Sequence, residues 1–458
     1  MQQFSRSPGP AAIAGGSGPC HGGATAFAAP EGVIEYAAMD ASSPLPPLRR
    51  ELEVLPYEHE GKPVFLLSDA ESEGDSALAL SPGGMAVASL LDGRRAAAQV
   101  AEAFAQETGS QVGAEEILAV VKQLDAAGLL ETEAALSARR ARLDAFLKNP
   151  RRPAMFAGRG GYPGKASELD PFLAGFFTAP KGPGRPLPQR PSAGPALGLV
   201  APHIDLHRGG PAYACAYAAL ADSPPPDLIV ALGVAHASPP SPWVFTRKAY
   251  ETPYGAMAVD DSLYAEAAKA LWYDPLDDEW VHRREHSLEF QALWLRYLWR
   301  EKTPPWLPIL CSTFERYADG KSPSTIATVE QALKDLGGLL AARAKKGQRL
   351  LILCGVDLAH VGRRFGDDFD VTPELEKKVE AEDRASLDAA LALDAERFYA
   401  SVVQGGHWRK VCGLASLYAG LRWIKDASGG KAAGSLLTYG QAPDPAGGIV
   451  SFAGAVYR

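Results

Sequence analysis

Six apolar runs punctuate the second half of the chain, at 196–203, 227–236, 307–312, 349–357, 435–440 and 448–457. Each has strand length and little internal alternation, the pattern of a strand covered on both faces. Segments with helical spacing separate most of them, at 211–221, 261–272, 285–300, 324–346, 374–392 and 410–425. Strands alternating with amphipathic helices predict an α/β fold, with a mainly parallel sheet covered by helices on both faces.

The first part of the chain reads differently. Residues 1–45 are rich in Gly, Ala, Ser and Pro without periodicity, which predicts a disordered tail. Met39 opens an ordinary-looking start, so 1–38 is either upstream sequence or a flexible extension. Residues 46–132 read as a small α+β domain. A hairpin-like stretch, ELEVLPYEHEGKPVFLL, precedes helical segments, with Ser81 and Pro82 as an N-cap and first-turn pair. Further on, Ile117, Val120, Val121 and Leu124 share one helical face. A helical linker at 133–151 then leads to the α/β domain, 152–458. Within it a short helix around Leu169–Phe177 precedes a Pro/Gly-rich stretch from Lys181 to Pro195.

Composition narrows the function classes. Of 458 residues 47% are hydrophobic and 22% charged, as in a folded protein. Lys and Arg number 46 against 54 Asp and Glu, and the 46–131 segment alone carries six against fifteen, a net of −9. That balance repels phosphate, so no nucleic acid is expected as a partner. No apolar run is long enough to span a membrane, and no membrane partner is expected. Cys20, Cys215, Cys311, Cys354 and Cys412 are odd in number and widely spaced, without CxxC. A disulfide framework is not expected, and with no secretory signal the reading is cytoplasmic.

The polar residues fall at telling places. Three strands run into histidine at their carboxyl ends: His203 with Asp205 and His207, then His236, then Asp357 with His360. Sites in open α/β sheets form at that edge, so His203, His236, Asp357 and His360 are expected to converge. Arg284-Glu285-His286-Ser287-Leu288-Glu289 opens a helix and sets His286 and Glu289 on one face; Glu285 and Glu289 equally suit capping and dipole compensation. Cys412 opens an apolar helical stretch, where a cysteine is either a small core residue or a metal ligand or nucleophile. Together these suggest a metal held by imidazole, with sulfur or carboxylate. Arg208, Arg363 and Arg364 lie beside the histidines, either to contact an anion or as solvated surface. Neither GxSxG nor a P-loop occurs.

This motif set resembles the MEMO family, protein B of the AmmeMemoRadiSam system, whose members are similar in fold to class III extradiol dioxygenases. The likeness runs from Arg152 to Arg458 through RPAMFAGRGGYPGKASELDPFL, APHIDLHRGGPAYACAYAAL, LGVAHASP, YETPYGAMAVD, EHSLEFQ, CGVDLAHVGRRFG, VCGLASL and SFAGAVYR. The 46–132 segment resembles the winged-helix peptide-binding domain of pyrroloquinoline quinone biosynthesis. The first resemblance implies metal ligands at His203, His236 and Cys412, with Asp357, His360 and His286 as further pocket residues. The sequence departs from the family at Ala237, where a second histidine commonly follows. It departs again in GVDLAHVG, which lacks the usual serines and aromatic, and at 160–164, which lacks the aromatic before Tyr162.

The implied chemistry is a non-haem iron or copper redox enzyme. Fe(II) or Cu would be held by two imidazoles, with the Cys412 thiolate where the dioxygenases use a carboxylate. His360 or His286 would act as general base on a phenol, since imidazole titrates near neutrality, and Asp357 would orient that histidine. The competing class is a non-catalytic peptide-binding or adaptor module using the same pocket. The expected partners are a small-molecule or peptide substrate and, from the name of the system, a radical SAM protein. A 46–131 fragment is predicted not to bind duplex DNA; titration at low salt should show no micromolar affinity, and salt-sensitive binding would refute the charge argument.

Overall fold

The computed structural model describes residues 42–50, 52–59, 61–69, 77–187, 191–314, 321–444 and 447–458. The expectations for 1–38 and Met39 lie outside these residues. Two compact units divide between Asp144 and Ala145.

In the smaller unit β1 (Leu52–His59), β2 (Lys62–Asp69) and β3 (Leu78–Leu80) form an antiparallel sheet in that order. Helices α1 (Pro82–Ser89), α2 (Ala97–Thr108) and α3 (Ala114–Ala126) follow, and the helix α4 (Glu133–Lys148) spans the division. The Ser81 hydroxyl accepts the Gly84 N–H at 3.1 Å and Pro82 begins the helix, the expected cap. Ile117, Val121 and Leu124 are fully buried with Val100 and Phe104, whereas Val120 is only partly covered. Buried Arg49 pairs with Asp69 at 2.8 Å and donates to the Gly128 carbonyl.

The larger unit opens with β4 (Arg151–Arg152), α5 (Ala166–Thr178), β5 (Gly198–Ala201) and α6 (Leu206–Ala221). Next come β6 (Leu228–Val234), β7 (Trp243–Phe245), β8 (Ala249–Tyr250), α7 (Asp261–Ala268), α8 (His286–Trp299) and β9 (Trp306–Cys311). Beyond them lie α9 (Ala327–Lys345), β10 (Leu350–Gly355), β11 (His360–Gly362), α10 (Pro373–Leu391) and α11 (Ala395–Val403). The helix α12 (Leu414–Ser428) and the strands β12 (Gly434–Asp444) and β13 (Gly448–Tyr457) complete it.

The main sheet runs β11-β13-β5-β10-β6-β9-β7, with β12 on the other side of β13. Only the centre, β5-β10-β6-β9, is parallel; β7, β11, β12 and β13 all pair antiparallel. The sheet is therefore mixed rather than mainly parallel. The reason is connection length: only three residues separate β12 from β13, and only eight separate β6 from β7. A parallel crossover needs a dozen or more.

Alternate residues of the central strands feed two cores. Leu228, Val230, Leu232 and Val234 face α9 and α12, while Ile229 and Ala231 face α6 and α8. Each such side chain contributes about 1.5–3 kcal/mol on burial, which is why these runs lack polar alternation.

The parallel order explains the polar pattern. β5, β10 and β6 are neighbours pointing the same way, so the segments after them, carrying His203, Asp357 and His236, emerge side by side at one edge. The start of α8 sits close against these ends because two glycines leave room. A Cβ at Gly233 would lie 2.6 Å from the Ser287 hydroxyl, and one at Gly355 2.9 Å from the Ser287 carbonyl. Gly355→Ala is predicted to destabilise by about 1–3 kcal/mol, as overpacking does. Urea unfolding midpoints test this, and an unchanged midpoint would mean that α8 can retreat freely.

Candidate functional site

Three imidazoles meet at the strand ends. The rings of His203 and His236 lie 5.1 Å apart and near perpendicular, as do those of His203 and His286; His236 and His286 stack at 4.9 Å. One ring nitrogen from each falls within 4.8 Å of the others, the arrangement of a candidate metal cluster. Acceptors behind the rings fix their orientation. His203 Nδ1 bonds the Gly355 carbonyl at 3.0 Å and His236 Nδ1 bonds Glu285 Oε2 at 2.9 Å. His286 Nδ1 lies 3.2 Å from Glu285 Oε1. Against these acceptors Nδ1 carries the proton, leaving Nε2 as the basic nitrogen facing the cluster. His236 Nε2 is buried and has no hydrogen-bond partner.

Burial favours the neutral form of two of these rings, His203 and His286. Burial pushes His203 down against the pull of Asp357, and pushes His286 well down against the pull of Glu285. Burial alone would raise Glu285, but His236, His286 and the N–H of Ser287 outweigh it and hold the carboxyl well below the usual range. Glu285 is thus a helix cap, as its position suggested, and also the carboxylate that aligns two histidines.

Cys412 precedes α12 and its Sγ sits 3.3 Å from His203 Nε2. Gly413 makes this approach possible, since a Cβ there would lie 2.8 Å from the Asp357 carbonyl. Buried Asp357 accepts the backbone N–H of His203 at 2.9 Å, and its other oxygen is 3.6 Å from His203 Nε2. Its carboxyl is raised, because burial exceeds the influence of His203. The histidine that Asp357 engages is therefore His203, not His360 or His286. His360 bonds the Leu358 carbonyl through Nδ1 at 3.1 Å and packs edge-on against Phe365. Burial, reinforced by His203 and His236, pushes it down to about 3, so it does not titrate near neutrality as the sequence suggested.

The cluster opens into a small cleft lined by His286, Asp357, His360, Arg208, Arg364 and Asp444. Arg208 pairs with Asp205 at 2.5 Å and with Asp444 at 3.4 Å, and Arg364 lies 3.8 Å from Asp444. Arg363 instead meets Asp370 at the surface. His207, away from the cluster, bonds the Gly160 carbonyl.

A second buried ion pair braces α8. Arg152 meets Glu289, both inaccessible to solvent, and also donates to the carbonyls of His282 and Glu285. Glu289 accepts from the N–H groups of Met155 and Phe156 and from the Tyr162 hydroxyl at 2.6 Å. It anchors the 152–162 loop, and Phe156 packs edge-on against His286. Sequence reasoning placed Glu289 beside His286 but left its partners unseen. Arg152 and Tyr162 are more than a hundred residues away, and no local spacing signals them.

These features define an α/β protein with a histidine-rich pocket at the carboxyl ends of parallel strands. The family described as Memo-like protein matches residues 152–456, and the chain belongs to that family. A MEMO1 family protein of Aquifex aeolicus is 27% identical over 408 residues, covering 86% of this chain and all of that protein. One of Thermus thermophilus is 31% identical over 270 residues, 59% of this chain and 72% of its own. One of Desulfurococcus amylolyticus is 27% identical over 293 residues, 62% and 90%. The Aquifex alignment is longer than the 152–456 match, so it takes in part of the smaller unit.

Glu289→Gln is predicted to lower stability by about 3–5 kcal/mol, because it strands the buried Arg152 charge. Replacing both by apolar residues, Arg152→Met with Glu289→Leu, should lose much less. Chemical denaturation of the three proteins tests this, and a Glu289→Gln loss below about 1 kcal/mol would refute it.

Proposed function

We propose that this chain binds one transition-metal ion through His203, His236 and Cys412, with His286 as the alternative or additional donor, and works as a metal-dependent redox protein. The observation that carries this reading is the buried, unpartnered Nε2 of His236 within a cluster of pre-oriented imidazoles. A buried polar atom without a partner is disfavoured unless something else satisfies it. Neutral imidazoles backed by carbonyl and carboxylate acceptors are the form in which histidine ligates metals. The donor set also suits the metal classes implied by the family resemblance: imidazole with thiolate favours iron, copper or zinc over harder cations.

When bound, such an ion supplies Lewis acidity and, for Fe(II) or Cu, electron transfer. The chain's residues supply the rest. Glu285 and Gly355 hold the imidazoles in register. His360 lines the cleft, its ring held by backbone groups of Leu358 and Lys410. Asp357 holds the His203 segment in place, and Phe365, Ile204 and Val450 give the cleft an apolar side suited to a small aromatic.

A second reading rests on Arg208 and Arg364, cleft-lining guanidiniums paired with Asp205 and Asp444, for which an anionic ligand would compete: a binding module for an acidic or phosphorylated peptide, without catalysis. In that reading the small acidic unit, similar to a winged-helix peptide-binding domain, presents the peptide. A radical SAM protein is the partner that the system would supply under either reading.

The test is metal per chain by elemental analysis after anaerobic loading with Fe(II) or Cu(I). The wild type should hold about one ion. His203→Ala, His236→Ala and Cys412→Ser should lose it with circular dichroism unchanged, while Cys311→Ser and Cys354→Ser should keep it. Full stoichiometry in Cys412→Ser with loss in His286→Ala would transfer the third position to His286. A metal-free wild type would overturn the metal reading and leave the binding module.

A further inference from the structure

Beside the strand-end cluster lies another fully buried charged assembly, which the metal reading does not use. Arg409 and Asp383 are 1% and 0% exposed and pair at 2.5 Å. Arg409 also donates to the Ser386 hydroxyl and the Ser401 carbonyl, and lies 3.3 Å from Glu382. The other Asp383 oxygen accepts from the Ser451 hydroxyl at 2.5 Å and the Tyr439 hydroxyl at 3.0 Å. A charged pair buried this deeply persists only where its partners are complete and its geometry is fixed.

Two routes lead from this pair to the cluster. Along one, the Ser451 hydroxyl accepts the N–H of Ala359, in the segment between Asp357 and His360. Along the other, the Arg409 carbonyl accepts the N–H of His360 at 2.7 Å, and Arg409 itself lies three residues before Cys412. The turn around Arg409 is strained. His407 and Lys410, on either side of it, have φ of 58° and 47°, the left-handed region that residues with a Cβ avoid. The turn closes through the Lys410 N–H to the His407 carbonyl, and His407 Nε2 accepts the N–H of Val411. Strain of this kind survives only where the surroundings over-determine the backbone.

We propose that the Arg409–Asp383 pair is a positioning device: it clamps the strained 407–410 turn and thereby holds the Cys412 thiol against His203. Both residues act through the turn and through Ser451, so they are positioning residues rather than ligands. The inference rests on the metal reading only in giving Cys412 a task. The geometry it asserts is independent of any ion.

The experiment uses metal-free full-length chain with Cys20→Ser and Cys215→Ser, so that Cys412 is the accessible thiol and Cys311 and Cys354 report unfolding. Its reaction with an aromatic disulfide is timed in this background, in Asp383→Asn, and in the apolar pair Asp383→Leu with Arg409→Met. The last fills the volume without leaving a charge unpaired. Cys412 should react about tenfold faster or more in both variants while Cys311 and Cys354 stay protected. A rate within about twofold of the background in the folded apolar pair would overturn the proposal, as would failure of both variants to fold, which would make the pair purely structural. Co(II) binding, followed by its thiolate charge-transfer absorption, separates the two readings. An absent band in the wild type sinks the metal reading and leaves the thiol result standing; a band and a thiol rate both unchanged in the apolar pair sink only the positioning role.

Discussion

One carboxylate sets the geometry of the pocket. Glu285 is buried at the first turn of α8, where one oxygen engages His236 and the other faces His286 and the Ser287 N–H. Burying an ionised carboxylate is expensive, and three things offset it here: two imidazoles, the helix N-terminus and the backbone donors. The strand β6 and the helix α8 are therefore joined by an electrostatic contact that no apolar packing could replace. His236 and His286 stack because they share that partner. The close seating of α8, permitted at Gly233 and Gly355 and braced by Arg152 and Glu289, brings Glu285 within reach.

His286 belongs to both parts of the pocket. It faces His203 and His236 in the cluster, and it lines the cleft with Asp357, His360, Arg208 and Arg364. Glu285 is the partner of His236 Nδ1 in this pocket. Apolar Val356 and Leu358 flank Asp357, both buried. Their burial accords with the low basicity of His360, which also arises from burial.

Much of this was legible in the sequence, for a physical reason. Strands buried on both faces must be continuously apolar, so the six runs announced the sheet, and the polar residues ending three of them announced the pocket edge. What could not be read was whatever depended on distant pairing. Nothing near β13 signals that it runs antiparallel to β5. The helix α11 was missed because it follows α10 after a break at Leu393, whose φ is 54°, and the two were not separable by period. Glu285 looked like a cap and is one; its second role needed His236, some fifty residues earlier. The depressed basicity of His360 arises from burial, and no neighbouring residue type encodes it.

The position of β13 has a consequence for how the chain is made. Residues 448–457 pair with β5 on one side and β12 on the other, and their first residues also hold β11. During synthesis β5 leaves the ribosome roughly 250 residues before the strand that covers its edge. Until then β5 offers unpaired backbone groups to any extended chain nearby, and the segment carrying Asp357 and His360 lacks the strand against which it sets. The larger unit must therefore complete its sheet late, through contacts of very long sequence separation, the regime in which folding is slow and a nascent chain depends most on protection from its neighbours.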